Sequence, residues 1–228
     1  MLPAMLPHFL YLHGFASGPA SEKGLALGRR LTGRVASYGI PDLEGGDFLH
    51  LTMDGILERA VMAIHHLPAD GQPVILVGSS LGGYSAALLA TRSQLPPRVQ
   101  GLLLIAPAFG FTTRWAGLLG ENGLEEWRRD GQRLFHHHAR NQDEWLSTDF
   151  LASCTTLPDL PGPTAIPTVI VHGRQDETVA WHLSQAYADQ NERSDLHLVQ
   201  GDHRLTEPRH EALITWCAGE LIDRIVNL

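Results

Sequence analysis

The segment Pro73-Val74-Ile75-Leu76-Val77-Gly78-Ser79-Ser80-Leu81-Gly82-Gly83 decides how this chain folds. Its apolar first part has the length of a buried strand, and the residues after the glycines favour a helix. The junction has the pattern G-x-S-x-G with Ser80 at its centre, which is typical of a serine on a sharp strand-to-helix turn with its Oγ exposed. Gly78 and Gly82 suit such a turn because strand and helix come too close there for a Cβ. The pattern predicts that Ser80 is a nucleophile and that its neighbour Ser79 matters far less.

The same junction has two other interpretations. A glycine-rich turn between a strand and a helix can bind phosphate, or it can serve packing alone. No lysine follows the glycines as a Walker loop requires, and the spacing does not match G-x-G-x-x-G. The strand-turn-helix context favours the nucleophile, with a purely structural turn as the alternative.

Strand-length apolar runs alternate with helical segments along most of the chain. The strands are expected at 9–12, 35–38, 73–77, 99–106, 166–171 and 196–200, and the helices at 21–31, 56–66, 81–91 and 208–225. Ser21 and Asp54 are the expected N-caps of the first two helices. This alternation predicts an α/β fold, a three-layer α/β/α sandwich with a mostly parallel sheet between two layers of helices.

Residues 107–163 interrupt the alternation. The segment is rich in aromatic residues interleaved with charges, and it ends in the loop-like stretch 157–163. We expect an insertion of short helices that lies as a cap over the carboxyl ends of the strands, where ligands bind in open α/β sheets. An ordinary packed excursion is the alternative.

The composition of the 228 residues narrows the class of protein. An apolar content of 43%, spread along the chain, predicts one domain over 1–228 that buries its core without disulfides or metals. The net charge of −8 and the lack of a basic stripe argue against nucleic acid as a partner. No apolar run approaches the ~20 residues of a membrane span.

The cellular location is predicted from weaker signals. Residues 1–7 lack the cationic start and the long apolar stretch of a signal peptide, and Met5 is an alternative start to Met1. Cys154 and Cys217 do not make a disulfide framework, and the sequence has no N-x-S/T glycosylation site. These features predict a cytoplasmic protein.

A serine nucleophile needs a base, and the base needs a group that orients it. In an α/β fold of this kind these groups follow the serine in the order acid then histidine, each at a strand end. Asp176 ends the turn after the strand at 166–171, and His203 ends the turn after the strand at 196–200. Both therefore lie at the same end of the sheet as Ser80, and we predict that the three form a catalytic triad.

The alternatives to these two partners are weaker. Glu177 is the second candidate for the acid, and His172 is expected to support the acid turn. Asp202 is a poor orienter because adjacent side chains diverge. The 13 histidines include the run His136-His137-His138, but three consecutive side chains cannot face one point. We expect that run to be solvated and not to form a metal site.

The oxyanion formed during attack needs hydrogen-bond donors. The backbone N–H of Leu81 opens a helix, where the dipole is positive. The second donor is expected in the loop after the first strand, where Gly14 lets the backbone bend inward and the N–H of Phe15 is the best candidate. His13 begins this loop, and a simple strand end is its alternative interpretation.

Together these motifs resemble the α/β-hydrolase superfamily. The oxyanion loop Leu12–Phe15, the nucleophile turn Gly78–Gly82, the acid turn His172–Val179 and the histidine turn Gly201–His203 all match its pattern. The opening of the chain, Leu12 to Lys23, looks like small bacterial esterases of the YqiA type. The nucleophile turn and the stretch 202–205 also look like the palmitoyl-protein thioesterase/acyl-glucuronide esterase group.

The resemblance implies hydrolysis of small-molecule carboxylic esters or thioesters through an acyl-enzyme, without a cofactor. It also implies a minimal sheet of about six strands. We expect an apolar acyl pocket, because substrate pockets are mostly apolar. The expected substrate-binding residues are His13, Gly14, Phe15, Tyr84, Phe109 and the aromatic residues of the insertion. Ser17, Ser21 and Lys23 are expected to lie on a solvated loop, with the border of the pocket entrance as the alternative.

Other functions remain open on the same fold. A ligand-binding or scaffolding member would bind without turnover, although such proteins usually lose a triad residue and all three positions are filled here. An acyltransferase or a peptidase would use the same triad with another acceptor or pocket. The fold alone does not choose among these functions.

Overall fold

The computed structural model describes residues 6–226, so both candidate start residues, Met1 and Met5, lie outside it. The strands are β1 (His8–Leu12), β2 (Ser37–Gly39), β3 (Val74–Ser79), β4 (Val99–Ile105), β5 (Gln132–His137), β6 (Gln142–Ser147), β7 (Thr168–Gly173) and β8 (Ser194–Val199). The helices are α1 (Glu22–Arg30), α2 (Met53–His65), α3 (Leu81–Leu89), α4 (Trp115–Asp130), α5 (Asp149–Cys154), α6 (Trp181–Asp189) and α7 (Pro208–Val226).

Six of the strands form one sheet in the order β2-β1-β3-β4-β7-β8, and every pairing in it is parallel. Neighbouring side chains on a strand point to opposite faces, and both faces of this sheet are covered. Phe9, Ile75 and Leu103 pack towards α1 and α7, whereas Leu10 and Leu76 pack towards α2 and α3. The expected three-layer α/β/α fold with a six-stranded sheet is confirmed.

The parallel topology collects the site at one edge. Because all six strands run in the same direction, the loops after β1, β3, β7 and β8 leave the sheet at its carboxyl edge. Two of these loops also pack backbone against backbone. A Cβ on Gly173 would lie 2.2 Å from the Gly201 carbonyl oxygen, and the Gln175 N–H donates to that oxygen at 3.0 Å. The acid turn and the histidine turn are therefore held together by main-chain contacts.

The segment 107–163 differs from the expected set of short helices. It contains α4 and α5, and between them β5 and β6 pair as an antiparallel hairpin outside the main sheet. Rings from this segment surround Phe15, with ring centres 6.0 Å away at Trp115, 5.5 Å at Phe135 and 5.6 Å at Phe150. The His138 N–H donates to the Ala16 carbonyl at 2.8 Å. The segment therefore packs on the loop that follows β1.

Two local expectations need correction or extension. Ser21 caps α1 as expected, since its hydroxyl accepts from the Gly24 N–H, but Asp54 does not cap α2. Thr52 takes that position and accepts from the Gly55 N–H, which leaves Asp54 in the first turn. Helix α6 is not predicted from the sequence.

Within the described range, no helix combines the length and apolarity that crossing a membrane requires.

Candidate active site

Ser80 occupies the turn between β3 and α3 in a strained backbone conformation. Its φ of 53° and ψ of −118° lie in a region that non-glycine residues rarely adopt. The flanking glycines make the turn possible. A Cβ on Gly78 would lie 2.3 Å from the Gly82 carbonyl oxygen, and a Cβ on Gly82 would lie 2.0 Å from that of Leu12. The reason given for both glycines from the sequence is confirmed.

The structure brings Ser80, His203 and Asp176 into one hydrogen-bonded chain. Nε2 of His203 lies 2.9 Å from the Ser80 Oγ, and its Nδ1 lies 2.7 Å from Oδ2 of Asp176. A carboxylate only accepts hydrogen bonds, so Nδ1 carries the proton in this pair. Nε2 of the neutral ring is then free to accept the Ser80 proton.

The Asp176 carboxylate is fully buried and held by four donors. Its Oδ1 accepts from the N–H groups of Thr178 and Val179, at 2.8 and 2.7 Å, and its Oδ2 accepts from His203 and His172. Burial alone would raise the pKa of Asp176, but the hydrogen bonds from His172 and His203 outweigh it and hold the pKa below its usual value. Asp176 is therefore a fixed negative charge behind the imidazole.

His172 contacts the same carboxylate oxygen as His203. Its side chain is buried, and its Nε2 lies 3.0 Å from Oδ2 of Asp176 and 3.2 Å from the Val179 carbonyl. Both partners only accept, so Nε2 donates, while Nδ1 lies 2.7 Å from the Ser184 hydroxyl. This is the supporting role expected for His172 from its place before the acid.

The other acidic candidates lie elsewhere. Glu177 is exposed. Asp202 folds its own turn, because its Oδ1 accepts from the backbone N–H groups of Arg204 and Leu205, both at 3.1 Å. Of the carboxylates weighed from the sequence, Asp176 is the one that contacts the His203 ring.

The loop after β1 approaches the serine and is held in place by His13. A Cβ on Gly14 would lie 3.4 Å from the Ser80 Cβ. Nδ1 of His13 donates to the Gly14 carbonyl at 3.0 Å, and its Nε2 accepts from the Leu43 N–H at 3.2 Å. Burial lowers the pKa of His13, which favours this neutral form.

The two predicted oxyanion donors belong to the loop after β1 and to the start of α3. C=O and N–H point in opposite directions in a trans peptide, so the His13 contact fixes the direction of the Phe15 N–H. Leu81 is the first residue of α3, and its N–H therefore has no intrahelical acceptor. Their role as donors to an oxyanion stays a prediction.

A cavity of about 750 Å³ opens beside Ser80. Gly14 and Phe15 line it as expected. Ser17, Ser21 and Lys23 line it too, which corrects the expectation of a solvated loop in favour of its alternative. Most of its lining side chains are polar, in contrast to the apolar pocket that we expected. The remaining lining residues are Tyr11, Ala20, Glu22, Ser79, Ser80, His136, His138, Ala139, Asn141, Thr178, His203, Arg204 and Thr206.

His13 does not line this cavity; it is buried and supports the loop after β1 instead of the predicted substrate contact. Tyr84 and Phe109 do not line the cavity either. Both side chains are completely buried. The Tyr84 hydroxyl donates to the Pro158 carbonyl at 2.7 Å, and the Phe109 ring stacks on Tyr187 with ring centres 4.7 Å apart. Their substrate-binding assignment is therefore corrected: helix-to-loop packing explains why these residues are apolar.

The three consecutive histidines have different surroundings, because alternate residues of a strand face opposite ways. His136 is exposed and pairs with Asp143 at 3.0 Å. His137, expected to be solvated, is instead buried against the Glu44 carboxylate at 2.8 Å. Among residues 6–226, no group of three or more His, Cys, Asp or Glu side chains is placed to hold a metal ion.

Several lining residues are not expected at the site from the sequence, among them Arg204, Thr206, Thr178 and Asn141. For two of them, the sequence contains a feature that indicates their place at the site. Arg204 directly follows His203, and Thr178 lies two residues after Asp176, so both belong to loops that the triad had already placed at the site.

Comparisons with known proteins identify a family and relatives of the chain. A model of an uncharacterised protein family, UPF0227, matches residues 8–213. The chain is 31% identical to the mitochondrial palmitoyl-protein thioesterase ABHD10 of Mus musculus, over 98% of this chain and 78% of that protein.

Solved structures show the same fold. Mouse alpha/beta hydrolase domain-containing protein 10 superposes with a TM-score of 0.78 at 26% identity, covering 96% of this chain and 90% of that one. Est1E from Butyrivibrio proteoclasticus gives 0.76 at 22% identity, covering 100% and 91%.

Proposed function

This chain belongs to the uncharacterised protein family UPF0227, and we propose that it is a serine hydrolase that cleaves carboxylic esters or thioesters through an acyl-enzyme. The observation that carries the proposal is the pair of contacts made by His203, at 2.9 Å to the Ser80 Oγ and 2.7 Å to the Asp176 carboxylate. Three side chains from three loops meet in the order and spacing that acyl transfer requires.

In the first step, His203 accepts the Ser80 proton at Nε2 while Oγ attacks the acyl carbon. The imidazolium that forms is stabilised by the Asp176 carboxylate on its other nitrogen. The N–H groups of Phe15 and Leu81 stabilise the oxyanion, a contribution worth about 3 kcal/mol per donor in such sites. His203 then donates its proton to the leaving oxygen or sulfur, and the leaving group departs.

In the second step, water hydrolyses the acyl-enzyme. His203 takes a proton from this water, which attacks the acyl carbon, and the same donors stabilise the second oxyanion. Ser80 recovers its proton from His203 and the acid is released. Segment 107–163 acts in this proposal as the cap of the site, because its hairpin contributes His136 and His138 to the cavity wall.

The relatives support the substrate class. The mouse protein is named a palmitoyl-protein thioesterase, and the chain aligns with 78% of it. Thioesters and oxygen esters share the acyl carbon that Ser80 would attack, so both belong in the first substrate panel.

The test compares Ser80→Ala with the wild-type protein on p-nitrophenyl butyrate and on a short acyl thioester. We expect the turnover number to fall by about ten-thousandfold or more, because the nucleophile is lost. A fluorophosphonate probe should label the wild-type protein at Ser80 and leave the variant unlabelled.

The matched control is Ser79→Ala, which removes the neighbouring hydroxyl and should lose far less activity. Circular dichroism and thermal unfolding show whether each variant is folded. Undiminished turnover in folded Ser80→Ala, or labelling that persists in it, would contradict the proposal. A protein that is labelled at Ser80 but turns over no member of the panel would instead have a site for other acyl compounds.

A further inference from the structure

The cavity beside Ser80 carries positive charge, although the whole chain has a net charge of −8. Lys23 and Arg204 line it, together with the imidazoles of His136 and His138. Glu22 is the acidic residue among the lining residues. It is exposed to solvent, as Arg204 is, so screening weakens both of these charges, whereas Lys23 is only partly exposed. A substrate entering this cavity meets more cationic and hydrogen-bond-donating groups than acidic ones.

Lys23 is the least expected of these groups, because its surroundings disfavour the charged ammonium. It is only partly exposed, and burial lowers its pKa to about 8. It also lies in the first turn of α1, where the helix dipole disfavours a cation. A desolvated ammonium at the positive end of a helix costs stability unless something compensates it.

The protein itself compensates Lys23 incompletely. Its Nζ donates to the Ser79 Oγ at 3.1 Å, which uses one of its three N–H bonds. Across the described part of the chain, no carboxylate forms an ion pair with it within 4.0 Å. An ammonium on the cavity wall that makes no ion pair, and that donates to the residue next to the nucleophile, is placed to bind an anion that arrives with the substrate.

The position of Lys23 indicates which half of the substrate carries this anion. His203 must protonate the leaving group, so the leaving group lies beside its Nε2 in the step that breaks the ester bond. Arg204 follows His203 directly. Burial has the largest effect on the pKa of Lys23, but the charge of Asp202 raises it and the charge of Arg204 lowers it, so Lys23 lies near the turn that carries His203. The charge of Arg204 also lowers the pKa of His138. The cationic wall of the cavity, formed by Lys23 and Arg204, therefore lies on the side where the leaving group of the substrate binds.

From this arrangement we infer that Lys23, assisted by Arg204, binds an anionic group on the alcohol or thiol half of the substrate. The ligand class is an ester or thioester whose leaving group bears a carboxylate or phosphate within reach of the scissile bond. Lys23 is then a specificity residue for the leaving group. The inference rests on the proposed hydrolase function.

The experiment uses matched esters that differ in one charge. The first pair, meta-acetoxybenzoate and meta-acetoxybenzamide, carries the charge or its neutral counterpart on the leaving group. The second pair, the phenyl half-ester of adipic acid and its half-amide, carries it on the acyl group. kcat/KM is measured at about pH 7 for all four, and each ratio is compared between enzymes, so that differences in intrinsic reactivity cancel.

Lys23→Met removes the ammonium at similar volume, and we expect it to lower the charged-to-neutral ratio of the first pair by about tenfold, because a charge-assisted hydrogen bond is lost. Lys23→Arg should restore most of that ratio. The control Arg29→Met removes an exposed cation from the same helix outside this cavity and should leave both ratios unchanged.

Each other outcome overturns the inference. An equal loss on both members of the first pair would mean that Lys23 supports the nucleophile or the fold. A loss confined to the acyl pair would place the anion on the other half of the substrate, and unchanged ratios would mean that Lys23 binds no part of it. Failure of the hydrolase proposal looks different, because the wild-type protein would then show no Ser80-dependent turnover of the neutral esters.

Discussion

The carboxyl edge of the sheet and the segment 107–163 both face the cavity, but they are held by different forces. At the edge, backbones touch: the acid and histidine turns meet at Gly173 and Gly201, and Gly82 lies against the Leu12 carbonyl. In the segment, aromatic side chains make the contacts, and α4 is broken at Gly120. Main-chain contacts leave little room for change, whereas side-chain packing can adjust to a substitution.

The largest effect that tests this comparison is the fall in kcat expected when the acid, Asp176, is replaced. Asp176→Asn keeps the shape of the side chain but removes the charge that four donors surround. An amide cannot stabilise the imidazolium and favours the wrong tautomer of His203, so kcat should fall by about a thousandfold or more. Steady-state kinetics on p-nitrophenyl butyrate measure the fall.

Glu177→Gln is the matched control for the same loss of charge one residue away. Glu177 is exposed, and we expect kcat within about twofold of the wild-type value, since surface substitutions rarely disturb a distant site. A large loss in Glu177→Gln with little loss in Asp176→Asn would reverse the assignment of the acid.

The sequence predicts the residues at the carboxyl edge of the sheet better than it predicts the packing of segment 107–163, and the reason is physical. Ser80, Asp176 and His203 each follow an apolar run of strand length, and a parallel sheet brings such loops to one edge whatever its exact register. Local rules also place glycines where backbones meet. No such rule fixes the packing of side chains between distant segments.

The incorrect predictions about the site fall where the packing of side chains decides. The expectation of an apolar pocket places Tyr84 and Phe109 in it, but aromatic residues fit the buried core equally well. The burial of His137 follows from the β5–β6 hairpin, which was not recognised. Asn141 could have signalled it, since this turn residue adopts a φ of 50° between the two strands.

A pair of glycine substitutions tests whether the two regions tolerate change differently. Gly82→Ala would drive its Cβ to 2.0 Å from a backbone oxygen, so we expect a loss of several kcal/mol in the free energy of unfolding, or failure to fold. Gly117→Ala in α4 meets no atom within 4 Å and should be neutral or stabilising by up to about 1 kcal/mol.

Chemical denaturation of both variants gives the comparison directly. If Gly82→Ala unfolds at the same denaturant concentration as the wild-type protein, the close backbone approach at the nucleophile turn is not rigid. If Gly117→Ala is the more damaging of the two, the segment is the more tightly constrained region, and the contrast drawn here between backbone contact and side-chain packing is wrong.

The smallest expected effect concerns the stability cost of Lys23. Its folded-state pKa of about 8 lies below the ordinary value of 10.5, so the unfolded chain binds more protons than the folded chain between these two values. The penalty is therefore fully present below about pH 8 and fades as the pH rises towards 10.5. Lys23→Met removes the penalty, and we expect it to raise the free energy of unfolding by about 1 kcal/mol at pH 7, after the lost hydrogen bond to Ser79 is deducted.

The stabilisation should shrink between about pH 8 and pH 10.5, and urea denaturation of both proteins at several pH values measures it. Arg29→Met, which removes a solvated cation, should show no such dependence. A Lys23→Met variant that is less stable than the wild-type protein at pH 7 would show that the ammonium contributes to folding. A variant that is more stable yet less selective for the charged leaving group would show that the cationic wall is maintained at the expense of the fold, as functional sites often are.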